Sequence, residues 1–190
     1  MSKLLLLSQD NFVFEDHYII DKIVDDMLNL EIEELFAKAN SCVEDENYLE
    51  AIEFYNLILK IDPKNISALI DRGVTLQIIG RIKLSIRSFD KALELSPKNL
   101  DALINKGSAL HLDEKYLDAI NCYEQALKID KKCSMALAYK GLSLGELGKL
   151  QESIMCFKKA LSIDKHCTLA QISKDTAQEL LKSNNLTKKL

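Results

Sequence analysis

Histidine and cysteine are the residue types in this chain that could ligate a metal or take part in acid–base and nucleophilic chemistry. The sequence has 190 residues, with three histidines and five cysteines. His166 and Cys167 are adjacent, whereas His17 and His111 lie far from them along the chain. No pair has the i, i+4 or two-residue spacing that is typical of a zinc site, so we expect no metal site.

The remaining nucleophiles give no sign of an active site. No serine, threonine or cysteine has an evident base partner, and no glycine-rich segment precedes a helix as a phosphate-binding loop. The sequence therefore predicts no catalytic residues and no cofactor, and we expect a protein that is not an enzyme.

Four of the five cysteines form two pairs whose members are separated by the same interval. Cys122 corresponds to Cys156, and Cys133 corresponds to Cys167. Equivalent residues of neighbouring repeats should lie beyond the roughly 7 Å Cα separation that a disulfide tolerates. We therefore expect reduced thiols in small apolar niches.

The spacing between the paired cysteines, about 34 residues, recurs through most of the chain. Gly73, Gly107 and Gly141 are spaced by it, and the apolar pattern around each glycine returns in the next interval. The equivalent leucines and aromatic rings are Leu35, Leu69, Leu103 and Leu137, and Tyr55, Phe89, Tyr123 and Phe157. Four repeats fill residues 32–167, with the bounds 32–65, 66–99, 100–133 and 134–167. A period of about 34 residues predicts a helical solenoid.

Each repeat predicts a helix, a tight turn and a second helix. In residues 66–99, apolar residues follow helical spacing up to Gly80 and resume it from Ile82. Pro97 ends the second helix, and Asn99 can cap the next one. A glycine within a helix costs about 1 kcal/mol relative to alanine, so the three glycines in register indicate a close approach of two helix backbones.

A small residue at position 8, a ring at position 24 and a proline near the end of the period resemble the tetratricopeptide repeat. The resemblance covers residues 32–167, with leucine in place of the family's frequent tryptophan and with Lys131 and Lys165 in place of proline. It implies an all-α fold, a right-handed α-solenoid of four helix–turn–helix repeats.

The two ends of the chain lie outside the repeats. Residues 1–31 contain an amphipathic stripe formed by Ile20, Ile23, Val24, Met27 and Leu28, with Phe12, Val13 and Phe14 as further anchors. This segment either caps the first repeat or occupies the groove or end of the same or a second chain. Residues 168–182 predict a capping helix with an apolar stripe at Leu169, Ile172, Thr176 and Leu180, and residues 183–190 predict a frayed tail.

Charge and hydropathy narrow the range of partners. The net charge is −4, and residues 1–30 hold two lysines against six acids, so the rest of the chain is neutral. A neutral repeat region lacks the positively charged surface that binds the phosphates of nucleic acid. The acidic N-terminal stripe would be repelled by anionic lipid. The leucine run near the start is too short for a signal peptide, so we expect a cytoplasmic protein with neither nucleic-acid nor membrane partners.

The resemblance implies a concave groove lined by the first helix of each repeat. The residues at the groove positions are Phe36, Asn40, Val43, Ile70, Val74, Gln77, Ile104, Ser108, His111, Ala138 and Leu142. Phe36 stands where a chaperone-tail clamp of this family would need a lysine, so a carboxylate ligand is disfavoured.

We expect a non-catalytic protein-interaction scaffold that binds an apolar peptide or helix in the groove. The alternative is a structural self-association module, possible as a homodimer, in which the N-terminal helix occupies the groove or end of a second chain. The concentration dependence of light scattering would separate the two.

Overall fold

The computed structural model describes the backbone of residues 2–187 and the side chains of residues 22–184. Within that range the secondary structure is helical throughout, with no strand. The described residues form nine helices: α1 (Ser2–Glu44), α2 (Tyr48–Ile61), α3 (Ile66–Ile78), α4 (Ile82–Leu95), α5 (Leu100–Leu112), α6 (Tyr116–Ile129), α7 (Ser134–Glu146), α8 (Leu150–Ile163) and α9 (Thr168–Thr187). The chain divides into two compact units, with the boundary between Pro63 and Lys64.

The first unit consists of α1 and α2, which pack against each other. Helix α1 runs from Ser2 to Glu44 without interruption, so the predicted N-terminal segment and the first helix of the first repeat are one helix. Its described residues 22–30 are all exposed. The prediction that this stripe caps the first repeat is therefore wrong for these residues. Phe12, Val13, Phe14 and Ile20 lie outside the side chains that the structure describes.

In the second unit, α3 to α9 pack in a regular order. Each helix contacts the next along the chain, and α3 contacts α5, α5 contacts α7, and α7 contacts α9. First helices thus lie beside first helices, which is how a repeat array shares its core between neighbours.

The repeated glycines are contact points for the repeated rings. A Cβ placed on Gly73, Gly107 or Gly141 would lie 2.5–2.6 Å from a ring carbon of Phe89, Tyr123 or Phe157, which occupy the second helix of the same repeat. These three rings are at most 1% exposed. The glycines therefore accommodate an aromatic ring from the partner helix, where the sequence had suggested two backbones in close approach.

A second repeated feature is a side-chain N-cap at the start of the first helices. The Asn65 side-chain oxygen accepts a hydrogen bond from the Ala68 N–H at 3.0 Å, and Asn99 accepts one from Ala102 at 2.8 Å. These N-caps confirm the role that the sequence suggested for asparagine. At the same position in the next repeat, Cys133 Sγ accepts from the Ala136 N–H at 3.5 Å. Cys133 is thus a weak N-cap and not only a packing residue.

Helix α9 differs from its predicted form in two ways. It extends to Thr187, beyond the expected end at residue 182, and residues 188–190 lie outside the described range. Its core-facing side carries Ala170 and Ala177, which pack with Leu169 and Leu181 against the last repeat. Of the predicted apolar stripe only Leu169 packs, and the prediction is wrong for Ile172, Thr176 and Leu180, which are exposed.

Candidate protein-interaction face

Three consecutive first helices present equivalent residues side by side. We call the surface formed by positions 5, 9 and 12 of α3, α5 and α7 the first-helix face. Its predicted members are Ile70, Val74, Gln77, Ile104, Ser108, His111, Ala138 and Leu142. Ala138 is fully buried and the other seven are half-buried. Direct contact of α3 with α5 and of α5 with α7 makes the seven half-buried residues one continuous surface. Ala138 has no exposed area and does not contribute to this surface, so its predicted place in the groove is wrong.

Two hydrogen bonds join neighbouring helices along this face. Gln77 Nε2 donates to Ser108 Oγ at 3.0 Å, which links α3 to α5. His111 Nδ1 and Ser143 Oγ are 2.9 Å apart, which links α5 to α7. The main polar groups of the face therefore bond within the protein.

His111 is held in an environment that favours its neutral form. Burial lowers the pKa of His111, and the carboxylate of Glu146 opposes this shift only in part. The Tyr116 ring packs edge-on against the imidazole with a centroid distance of 5.3 Å. The face thus carries no formal charge among its defining residues, and Glu146 is its charged neighbour on α7.

The structure adds two apolar residues that the sequence reasoning missed. Ile78 and Leu112, at the ends of α3 and α5, are 52% and 53% exposed. They follow Val74 and Ser108 by four residues, so they lie on the same side of their helices. The i+4 spacing and the repeat equivalence of the two were the available signals.

Helix α9 continues the same face. Ile172 and Thr176 lie one repeat period after Ala138 and Leu142, and Leu180 follows Glu146 by the same interval. Since α9 contacts α7 as α7 contacts α5, it occupies the place of the first helix of a fifth repeat. This explains why Ile172, Thr176 and Leu180 are exposed: they occupy face positions and not core positions.

The three predicted groove residues of the first repeat lie on α1, in the first unit. Phe36 is half-buried and packs edge-on against Tyr55, with ring centroids 6.2 Å apart. Val43 is half-buried, and Asn40 is exposed. These three residues belong to the first unit, and the contact of Phe36 with Tyr55 is made within that unit.

Ion pairs join successive repeats away from the first-helix face. Lys106 Nζ lies 2.6 Å from Asp90 Oδ1, and Lys140 Nζ lies 2.6 Å from Glu124 Oε1. Each pair connects the second helix of one repeat to the first helix of the next. The lysines at position 7 are thus neutralised locally, so they offer no cationic clamp for a carboxylate ligand.

The described residues hold no cluster of three or more His, Cys, Asp or Glu side chains that could bind a metal ion. All five cysteines are free thiols, and burial raises the pKa of Cys122 and Cys156 above the ordinary thiol value. This lowers their thiolate fraction and hence their reactivity. Among the described residues, no helix combines the length and the apolar character needed to cross a membrane.

Taken together, paired helices, a shared core and a periodic exposed face define an all-α protein of the helical-repeat class. A family model for the tetratricopeptide repeat matches residues 35–65, 66–99, 100–133 and 136–167, more than half of the chain. The chain therefore belongs to the tetratricopeptide repeat family, as the sequence pattern predicted. Domains of this family generally mediate protein–protein interaction and are typically non-catalytic.

Solved structures share the fold. A crystal structure of MamA is 26% identical, with a TM-score of 0.68, and the match covers 74% of this chain and 82% of that one. A tetratricopeptide repeat protein from Parabacteroides merdae is 21% identical, with a TM-score of 0.70, over 82% of this chain and 62% of that one.

A third structure contains a ligand. The first tetratricopeptide repeat domain of Spaghetti (RPAP3), bound to the HSP90 peptide SRMEEVD, is 19% identical with a TM-score of 0.60. That match covers 64% of this chain and 96% of the other. A search of curated proteins by sequence found no significant match.

Proposed function

We propose that this chain is a non-catalytic scaffold that binds an apolar peptide segment or helix of another protein on its first-helix face. The observation that carries the proposal is the row of half-buried apolar side chains at equivalent positions of consecutive first helices, among them Ile70, Val74, Ile104 and Leu142. Ile78 and Leu112 extend this row with apolar surface that is about half exposed. Burial of such surface by a ligand is favourable, at roughly 25 cal/mol per Å².

The polar groups of the face favour an apolar ligand over a charged one. Gln77 Nε2 and His111 Nδ1 already bond to Ser108 and Ser143, so part of the hydrogen-bonding capacity of these side chains is used within the array. The defining residues include no lysine or arginine. An acidic peptide end would therefore lose its hydration without gaining a charge-assisted hydrogen bond.

The spacing of the face suits a periodic ligand. Packed helices are about 8–10 Å apart, so equivalent residues such as Ile70 and Ile104 are separated by roughly this distance. A ligand helix advances about 10.5 Å over seven residues, and an extended segment covers a similar distance in three. A partner with an apolar residue at every seventh helical position would place one anchor on each first helix.

Selection of binding peptides from a random display library would test the proposal. We expect the selected peptides to be rich in Leu, Ile and Phe at periodic positions. Ile104→Asp and Leu112→Asp should weaken their binding by about tenfold or more, because each places a charge within the apolar face.

The matched control is Leu117→Asp on α6, where the side chain is 67% exposed and distant in repeat position from the face. It should leave binding unchanged. Leu112 is half exposed, so Leu112→Asp keeps the test valid if Ile104→Asp loses helicity by circular dichroism. Selected peptides dominated by Asp and Glu, or equal binding by Leu112→Asp and wild type, would refute the proposal.

A further inference from the structure

A recess lies between the last two helices, away from the first-helix face. It has a volume of about 440 Å³ and is formed by α8 and α9. We call it the C-terminal cleft, and its lining residues are Gln151, Ile154, Met155, Lys158, Gln178, Leu181 and Lys182. Met155 is 70% exposed, so a substantial apolar surface remains uncovered there. The charged residues that line the cleft, Lys158 and Lys182, are both cations.

The repeat pattern shows that this junction lacks the carboxylate that its predecessors have. Asp90 and Glu124 pair with Lys106 and Lys140 at the two preceding junctions. The residues one repeat period after Glu124 and Lys140 are Lys158 and Lys174. Two lysines therefore stand where an acid and a base stood before, and Lys174 instead approaches Asp175 of its own helix at 3.6 Å.

The described part of α1 carries an exposed surface that is apolar and acidic, whereas the C-terminal cleft is apolar and cationic. An exposed surface of this helix is formed by Val24, Met27, Leu28, Leu30, Glu31 and Glu34, which we call the N-terminal stripe. Its four apolar residues are 39–68% exposed. Residues 22–34 contain one lysine and five acids. Glu34 is 67% exposed and pairs with Lys38 one turn away at 2.7 Å. A pair this exposed contributes little free energy, so Glu34 can exchange Lys38 for another cation.

We propose that the N-terminal stripe of one copy docks into the C-terminal cleft of a second copy. The apolar residues of the stripe would cover Met155 and the partly exposed Leu181, while its glutamates would supply the carboxylates that Lys158 and Lys182 lack. The stripe from Val24 to Glu34 is about 15 Å long and the α8 wall from Gln151 to Lys158 is about 10 Å, so one helix segment fills the cleft. This site is separate from the first-helix face and does not depend on the function proposed for it.

The test begins with sedimentation velocity of the full chain over a concentration series at low and high salt. We expect reversible association that weakens as salt rises, because exposed charges contribute to the contact. The cleft variant Lys158→Glu/Lys182→Glu and the stripe variant Glu31→Lys/Glu34→Lys should each associate about tenfold or more weakly, since each faces two like charges in place of two opposite ones.

Mixing the two variants identifies the contact. The cleft variant keeps a native stripe and the stripe variant keeps a native cleft, so an equimolar mixture should associate although neither variant does so alone. Lys91→Glu/Lys98→Glu is the matched control, because both lysines are exposed and lie outside the cleft. It should associate like the wild type.

Three results would overturn the inference. The first is a wild-type chain that stays monomeric throughout the series, and the second is unchanged association of the cleft variant. The third is a mixture that stays monomeric when each variant alone is monomeric. In the second case, loss of association in Leu112→Asp would indicate that the stripe docks on the first-helix face and not in the C-terminal cleft.

Discussion

At the scale of single residues, the glycine at position 8 of the last three repeats is explained by the aromatic ring that it contacts. Gly141 lies in the interior of α7, and a Cβ there would be 2.6 Å from a Phe157 ring carbon. Gly145, one turn further along the same helix, would place its Cβ 3.5 Å from Ser153 Oγ, which is an ordinary contact. Neither glycine has a positive φ, so substitution by alanine tests packing alone.

We predict that Gly141→Ala destabilises the protein whereas Gly145→Ala does not. Gly141→Ala should lower the free energy of unfolding by about 1–3 kcal/mol, because the Phe157 ring is buried and must move. Gly145→Ala should be neutral or stabilising by up to about 1 kcal/mol, from the better helix propensity of alanine. Urea titration followed by circular dichroism measures both, and an equal effect of the two substitutions would contradict the ring-on-glycine account.

At the scale of helices, the residue before each first helix decides how well that helix starts. Asn65 and Asn99 provide an oxygen to an otherwise unpaired N–H, whereas Cys133 provides a sulfur at 3.5 Å. Sulfur is a weak acceptor, so α7 begins with a poorer cap than α3 and α5. The sequence placed Cys133 with Cys167 as a packing residue, and its equivalence to the capping asparagines in the same frame was the overlooked signal.

We predict that Cys133→Asn stabilises the protein by about 0.5–1 kcal/mol, because it restores the oxygen cap found on the two preceding first helices. The reciprocal change Asn99→Cys should destabilise it by a similar amount. Thermal and urea denaturation of both variants provides the measurement. A stabilising Asn99→Cys, or a Cys133→Asn below wild type, would show that the half-buried packing of this position outweighs the cap.

Helix α9 connects the scale of helices to that of the whole molecule. It contributes Ala170 and Ala177 to the core of the last repeat while presenting Ile172 and Leu180 to the exterior. Gln171 and Asp175 stand where the repeats carry leucine and glycine, and both are exposed. No second helix packs on these positions in the described part of the chain, so they face solvent, where polar side chains are favourable.

At the scale of the whole molecule, the contacts of the second unit are local, so damage should remain local. We predict that Ala170→Asp, which buries a carboxylate between α9 and the last repeat, lowers amide-exchange protection in α8 and α9 while α3 stays close to wild type. Hydrogen–deuterium exchange with mass spectrometry makes the comparison. Ser67→Asp, exposed at the start of α3, is the control for added charge. An equal loss of protection in all helices from α3 to α9 would indicate that the unit unfolds as a single cooperative body.

The sequence by itself determined the fold class, the family and the helix–turn–helix unit. It did so because the repeat period, the glycines and rings and the capping asparagines act within a single repeat or between neighbouring helices. The groove residues named from the repeat frame remain a prediction, although the structure brings seven of the eight on α3, α5 and α7 onto one half-buried surface and buries Ala138.

Only the tertiary structure decided which side chains are buried and which are exposed in the first and last helices. A helix with two apolar sides does not reveal from sequence which side is packed, and α9 buries the alanine side while its larger Ile172 and Leu180 stay exposed. The exposed stripe of α1 and the cationic cleft between α8 and α9 also depend on which helices are neighbours. Burial is set by the elements that lie alongside a residue, and that information is not contained in the residue's own periodicity.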